Sequence, residues 1–237
     1  MKLGIFTDAH YSSIESPEWQ RFNRRSLDKI KTAMKAFHAA GCDMVISLGD
    51  LIDHEAEHEK ETANLKQIAE VFASYDMPIA AVMGNHDAFS FEVNEYYGIL
   101  GEQTRPTDRV IDGKTLLFID ACHFKTAEHY RRGDDARYEE AWTDTFYPYV
   151  EKLRCDLNTA DDRCFVFMHQ NVDPNIQADH RLSNDAALRK AFEQSQKVDT
   201  VFQGHFHGGA DNVVNGIHYR TFPSMCAADD RYFIVEI

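Results

Sequence analysis

Lys2-Leu3-Gly4-Ile5-Phe6-Thr7-Asp8-Ala9-His10 opens the chain and sets its reading. A short apolar run ends in a carboxylate and an imidazole two residues apart, so on extended backbone both side chains point the same way. The pattern recurs downstream. Met44 to Leu48 leads into Gly49-Asp50-Leu51-Ile52-Asp53, and Pro78 to Met83 into Gly84-Asn85-His86-Asp87. Arg163 to Met168 leads into His169, and Val198 to Gln203 into Gly204-His205-Phe206-His207. Each run has the length and apolar character of a buried strand. Residues at the C-terminal ends of neighbouring strands converge however far apart they lie in sequence, so the five strings read as one site.

Helical patterns separate the first three runs. Arg21 to Ala40 places Leu27, Ile30, Met34 and Phe37 on one face, with Gly41 at the expected C-cap. Ala63 to Ser74 does the same with Leu65, Ile68, Ala69 and Phe72. The β-α-β-α-β order predicts a sheet with crossover helices packed on it. Farther on, Arg109 to Ile111 and Lys114 to Ile119 flank Asp112-Gly113 as a β-hairpin. Trp142 to Leu157 and Asp185 to Phe192 read as helices. Asn215-Gly216 and Arg231 to Ile237 predict a closing antiparallel meander. The expected architecture is α/β: one domain over residues 1–237, with two packed sheets and helices outside. Segments 86–108 and 121–142, the latter carrying Arg131, Arg132, Asp134 and Asp135, are the expected roof of the site.

Composition narrows the function classes. The hydrophobic fraction is 43%, enough for a substantial core, yet no apolar run reaches the roughly 18 to 20 residues of a membrane span. The first strand begins at Lys2, where a cleaved leader would destroy it, so a signal peptide is not expected. Cys42, Cys122, Cys155, Cys164 and Cys226 are odd in number and show no Cys-x-x-Cys spacing, which favours reduced thiols and a cytoplasmic location. The formal net charge of −14 disfavours nucleic acid as a partner. A small phosphorylated substrate remains compatible with it, because divalent cations reverse the sign inside a pocket.

The donor set points to metal chemistry. Phosphate esters resist attack because their anionic oxygens repel a nucleophile. Two cations about 3.5 to 4 Å apart neutralise those oxygens and activate water. Holding cations that close requires a shared anionic ligand. Asp8, His10, Asp50, Asn85, His169, His205 and His207 supply carboxylates, imidazoles and an amide oxygen in number sufficient for two ions. Mixed oxygen and nitrogen donors suit manganese, iron or zinc, in divalent or trivalent form.

Taken singly, each string is a common turn signal. Their joint order, Asp-x-His, Gly-Asp-x-x-Asp, Gly-Asn-His-Asp, His and Gly-His-x-His, resembles the calcineurin-like metallophosphoesterase superfamily across residues 8–207. The resemblance implies a four-layer α-β-β-α sandwich with two mixed sheets and the metals at strand C-terminal ends. It implies that Asp8, His10 and His207 hold one metal, that Asn85, His169 and His205 hold the second, and that Asp50 bridges. His86 would assist the leaving group, oriented by Asp53. The expected reaction is in-line attack of a metal-activated water on a small phosphodiester or phosphomonoester. One departure stands out: protein-phosphatase branches carry Arg after the Asp53 position, and here it is His54. A non-catalytic binding module on the same scaffold and a nuclease are the alternatives; intact ligands weigh against the first and the acidic charge against the second.

The remaining candidates have plainer readings. His54 and His58 lie in an acidic stretch read as a solvated loop or helix start, and His38 within a helix. His123, His129 and His180 fall in irregular segments, where surface positions are the default. Phe89, Phe91, Tyr96 and Tyr97 read first as a packing face and second as a base-stacking cluster.

Overall fold

The apolar runs pair into two mixed sheets. The structure is a computed structural model that describes residues 1–15, 17, 21–133, 137, 144–160 and 163–237. In the first sheet β1 (Lys2–Phe6), β2 (Met44–Ser47) and β3 (Ile79–Ala81) run parallel, and β10 (Phe233–Glu236) pairs antiparallel with β1. The second has the order β4 (Arg109–Ile111), β5 (Lys114–Ile119), β6 (Cys164–Met168), β7 (Val198–Gln203), β9 (Ile217–Thr221), β8 (Ala210–Val214). Its four inner strands are parallel, and β4 and β8 are antiparallel edges.

Alternation along the strands builds the layers. In β1 Leu3 and Ile5 face the second sheet, together with Met44, Ile46 and Ala80, and meet Leu116, Phe165, Phe167 and Phe202. Phe6 and Val45 face outward, onto Ile30, Met34 and Phe37 of α1 (Ser26–Ala39) and Leu65, Ile68 and Phe72 of α2 (His58–Ala73). On the far side Leu117, Val166 and Val201 pack on Leu153 and Leu157 of α5 (Val150–Thr159) and Leu188 and Phe192 of α6 (Asp185–Ser195). The result is the α-β-β-α order expected above. Every residue of β6 is buried, since the strand is covered on both faces. Between the sheets Phe118, Phe167, Phe202 and Phe222 stack, with successive centroids 5.2, 5.1 and 6.0 Å apart.

Some boundaries differ from the periodicity, for local reasons. The first helix starts at Ser26, after a 3-10 turn at Asn23–Arg25. The second starts at His58, ahead of the apolar period, because its first turn is built on polar contacts: His58 Nδ1 lies 3.0 Å from Glu61 Oε2. The helix expected over 142–157 spans Val150–Thr159, and Trp142 lies outside the described residues. Residues 85–100, within the expected roof, fold into α3 (Asn85–Ser90) and α4 (Val93–Leu100), with Phe89, Phe91, Tyr96 and Tyr97 buried in the core.

The closing meander is corrected. Asn215-Gly216 does turn β8 into β9, both at positive φ. However, β9 joins β7 in parallel and β10 crosses to the first sheet, where it pairs with the free edge of β1. Apolar alternation marks a strand but carries no label for its partner. The five cysteines are free thiols, and only Cys155 is exposed. Among the described residues no helix is long and apolar enough to cross a membrane.

Phe167, fully buried at the centre of the aromatic stack, is the test of this core. Phe167→Ala is expected to destabilise the protein by about 3–5 kcal/mol in urea unfolding. A loss below about 1 kcal/mol would mean that the two sheets are not held together by this ladder.

Candidate metal centre

The five strings converge at one end of both sheets. β1, β2 and β3 end at Phe6, Ser47 and Ala81, and β6 and β7 at Met168 and Gln203. Beyond those ends the main chains are laced together. Asp8 N–H donates to Gly49 O at 3.0 Å and His10 N–H to Asp50 O at 2.9 Å. Gly204 N–H donates to His169 O at 2.9 Å, and Cys226 N–H to Asp8 O at 3.0 Å. Asp8, His10, Asp50 and His205 have φ of 54°, 48°, 53° and 66°. That left-handed conformation costs about 1–2 kcal/mol per residue, and it persists here because the surrounding bonds leave no alternative. Two glycines permit the close approach. A Cβ on Gly84 would stand 2.2 Å from Asp50 Oδ1 and 2.4 Å from Asp50 N, and one on Gly204 would stand 2.1 Å from Thr7 Oγ1.

A first group of donors surrounds Asp8. Thr7 Oγ1–H donates to Asp8 Oδ2 at 2.6 Å, and His205 N–H donates to the same oxygen at 3.1 Å. Asp8 Oδ1 is buried with no hydrogen-bond partner among the described residues. It faces His207 Nε2 at 3.4 Å and His10 Nε2 at 3.7 Å, and those nitrogens are 3.1 Å apart. Cys226 stands beside this pair, its sulfur within 4.8 Å of ring nitrogens of His10 and His207.

A second group surrounds His169. Its Nδ1–H donates to Leu48 O at 2.8 Å, which directs Nε2 at two oxygens, Asn85 Oδ1 at 3.1 Å and Asp50 Oδ2 at 3.2 Å. Asp50, His169 and His205 present ligand atoms within 4.8 Å of one another. Asp50 belongs to both groups. Its Oδ1 accepts from His86 N–H at 2.9 Å, while Oδ2 lies 3.6 Å from His10 Nε2 and 3.2 Å from His169 Nε2. Separations of this size are what donors show when each sits about 2 Å from a shared cation.

Burial and mutual charge divide the donors. Burial opposes charge on Asp8 and Asp50, yet the imidazoles around them outweigh it and hold both carboxyls below the usual range. Burial, helped by the charge of His86, pushes His10 down to about 4, so its ring is neutral with a lone pair to offer. Burial drives His205 well below its ordinary value too. His169 goes the other way: burial is overcome by the Asp50 carboxylate, which holds it up to about 9. Lone pairs pointed at one another in a water-poor pocket are costly unless a cation lies between them.

His86 and Asp53 stand beside the first group. His86 Nδ1 is 2.6 Å from Asp53 Oδ1, and the His86 ring meets that of His10 edge-on at 4.6 Å. Burial resists ionisation of both. The mutual charge wins, lowering the Asp53 carboxyl and raising the His86 imidazole, so the two form an ion pair. Asn23 Nδ2–H donates to Asp53 Oδ2 at 2.9 Å, and Arg21 Nη1 approaches the same oxygen at 3.4 Å. All nine residues singled out in the sequence therefore meet at this end of the sheets.

Other candidates lie elsewhere. His54 Nδ1 is 2.8 Å from the buried Glu61, and His58 bridges Glu61 and Glu95. His38 packs on Tyr75. His123 and His129 meet beyond β5, with His129 Nε2 3.0 Å from Asp120. Arg132 Nε comes within 4.0 Å of Glu61, and Asp134 and Asp135 lie outside the described residues.

Four residues at the site went unassigned from the sequence. His180, read there as surface, has its ring 5.7 Å from that of His205. Asn23 and Arg21 support Asp53 from a segment with no motif. Asp87 closes the Gly-Asn-His-Asp string. It accepts Leu51 N–H at 3.0 Å and Ile52 N–H at 3.2 Å on one oxygen and Gly84 N–H at 3.0 Å on the other. Burial, with the Asp50 charge, pushes the Asp87 carboxyl up to about 7. Its place three residues after the helix-capping Gly84 is the one sequence signal that marks it.

Comparison with known proteins agrees with this geometry. The family model for calcineurin-like phosphoesterase matches residues 1–209. No curated protein matches. Among solved structures, a dimetal phosphatase from Danio rerio superposes with a TM-score of 0.77 at 18% identity, covering 96% of this chain and 88% of that one. GAP50, the anchor in the inner membrane complex of Plasmodium, gives a TM-score of 0.59 at 14% identity, covering 99% and 77%. A phosphopantetheinyl hydrolase from Mycobacterium tuberculosis gives 0.51 at 13%, covering 94% and 89%. These likenesses speak for the fold, and the family match spans every one of the five strings. The chain belongs to the calcineurin-like phosphoesterase family.

Proposed function

We propose that this protein hydrolyses a small phosphate ester with two bound metal ions. Asp8, His10 and His207 hold one ion, Asn85, His169 and His205 the other, and Asp50 both. One observation carries the reading: Asp50 Oδ2 sits between two donor groups, 3.6 Å from His10 Nε2 and 3.2 Å from His169 Nε2. The buried Asp8 Oδ1, which accepts no hydrogen bond among the described residues, supports it as an anionic oxygen placed to meet a cation. Ions bound there would supply the positive charge that neutralises phosphoryl oxygens and makes water a competent nucleophile for in-line attack.

The side chains do the rest. Asp53 fixes the His86 ring through Nδ1, which leaves Nε2 to give a proton to the departing oxygen. The ion pair keeps that proton available at neutral pH, because the Asp53 charge raises the affinity of the imidazole for it. Asp87 binds the Gly49–Asp53 loop to Gly84, so the segments bearing Asp50 and Asn85 keep one spacing. Mixed donors suit manganese, iron or zinc. The net charge of −14 supports a small substrate over nucleic acid, and the five free thiols support a reducing compartment such as the cytoplasm. Pairing of the last strand with the first supports a single domain over residues 1–237.

Purified protein supplied with Mn²⁺ is expected to cleave aryl phosphate mono- or diesters. Chelation and Asn85→Ala should each abolish turnover, and full activity after either would reject the dimetal reading. His86→Ala should lower kcat by about 10²- to 10⁴-fold while the metals stay bound; the check is steady-state kinetics beside elemental analysis. Gly84→Ala, which drives a methyl into Asp50, should weaken metal affinity by about 10- to 100-fold, read by competition with a chromophoric chelator. Unchanged affinity would show that the close approach is not needed to place the bridge.

A further inference from the structure

Arg21 stands behind the His86–Asp53 pair, at the edge of the candidate centre. Its Nη1 lies 3.4 Å from Asp53 Oδ2, and its side chain is only 19% exposed. Asp53 is already oriented without it. Asn23 Nδ2–H donates to the same oxygen at 2.9 Å, and Oδ1 accepts His54 N–H at 3.0 Å and faces His86 Nδ1 at 2.6 Å. A contact at 3.4 Å adds little orientation to a carboxylate held that firmly. Asp53 is the one carboxylate the guanidinium meets among the described residues, and that carboxylate is shared with His86.

A second anion beside this guanidinium has a natural identity at this centre. A guanidinium presents five N–H donors in a planar fork that matches two oxygens of one phosphoryl group. The approach to Asp53 involves one terminal nitrogen. We propose that Arg21 binds the phosphoryl group of the substrate directly, gripping its anionic oxygens from the His86 side of the centre. This rests on the phosphoesterase reading above. It assigns the phosphate grip to a segment that carries no motif, between β1 and α1, while His54 next to Asp53 is tied to Glu61. Arg21 thereby couples substrate to the general acid: the same guanidinium that meets the phosphoryl oxygens borders the carboxylate that orients His86.

The test uses Mn²⁺-loaded protein, with inorganic phosphate as the probe. Phosphate affinity is measured by calorimetry and by inhibition of aryl phosphate hydrolysis, in wild type, Arg21→Ala and Arg21→Lys. Metal content is measured in each. Arg21→Ala should weaken phosphate binding and raise KM by about 10- to 100-fold with metals retained. Arg21→Lys, which keeps the charge and loses the fork, should recover part of that loss and serves if the alanine variant fails to fold. Wild-type phosphate affinity in metal-loaded Arg21→Ala, or in Arg21→Lys alongside a shifted kcat–pH profile, would overturn the proposal and make Arg21 a positioning residue acting through Asp53. If the wild type shows no chelator-sensitive hydrolysis, the phosphoesterase reading fails by itself. The calorimetric comparison still decides whether Arg21 binds phosphate.

Discussion

Like-charged and lone-pair-bearing groups have to be held within about 4 Å of one another, and most of the local structure at the strand ends exists to do that. Asp50 is the pivot. Its carbonyl accepts from His10, its Oδ1 accepts from His86 N–H, and its Oδ2 faces the two imidazoles of different groups. Left to itself such an arrangement would spring apart. It is kept by main-chain hydrogen bonds between strand exits, by left-handed backbone at four of the site residues, and by glycines where any side chain would collide. The strain is local, and the stabilisation comes from the two sheets and their three apolar layers.

The layered fold explains why rigidity is available at that place. The parallel strands of both sheets end on one side, so carbonyl-rich strand termini and the turns after them face a common crevice. A row of stacked phenylalanines along the inner face of the second sheet helps fill the space between the sheets, and the helices on both outer faces seal them. With that frame fixed, small groups such as the Thr7 hydroxyl and the Leu48 carbonyl aim Asp8 and His169. Each uses up one side of a polar side chain and leaves the other pointing inward, the arrangement that supporting groups give a metal site.

Asymmetry around the centre carries the chemical logic. One flank holds the His86–Asp53 ion pair with Asn23 and Arg21 behind it. The other holds His180 and Phe206 near His205. An imidazole–carboxylate ion pair and a permanent cation on one side and two rings on the other make the two flanks chemically different, even where the donor groups are nearly symmetric.

Much of this was legible in the amino-acid order. Short apolar runs ending in Asp, Asn and His mark both the strands and the polar residues that converge at their ends, because both signals are local: a few residues of hydrophobic pattern, then a polar residue at a turn. What could not be read were relations between distant segments. The polar first turn of α2 hid its start, and the partner of the last strand was invisible because β edges are filled by whatever strand the fold brings there. Arg21, Asn23 and His180 carry no local mark, since their roles come from neighbours more than twenty residues away. Sequence alone determined the α/β class and the order along the chain of the polar residues that converge at the strand ends, through periodicity and residue chemistry. Tertiary structure decided which oxygen of Asp50 is shared, which groups aim each ligand, and where the positive charge lies, because those depend on distances of a few ångströms that only packing sets.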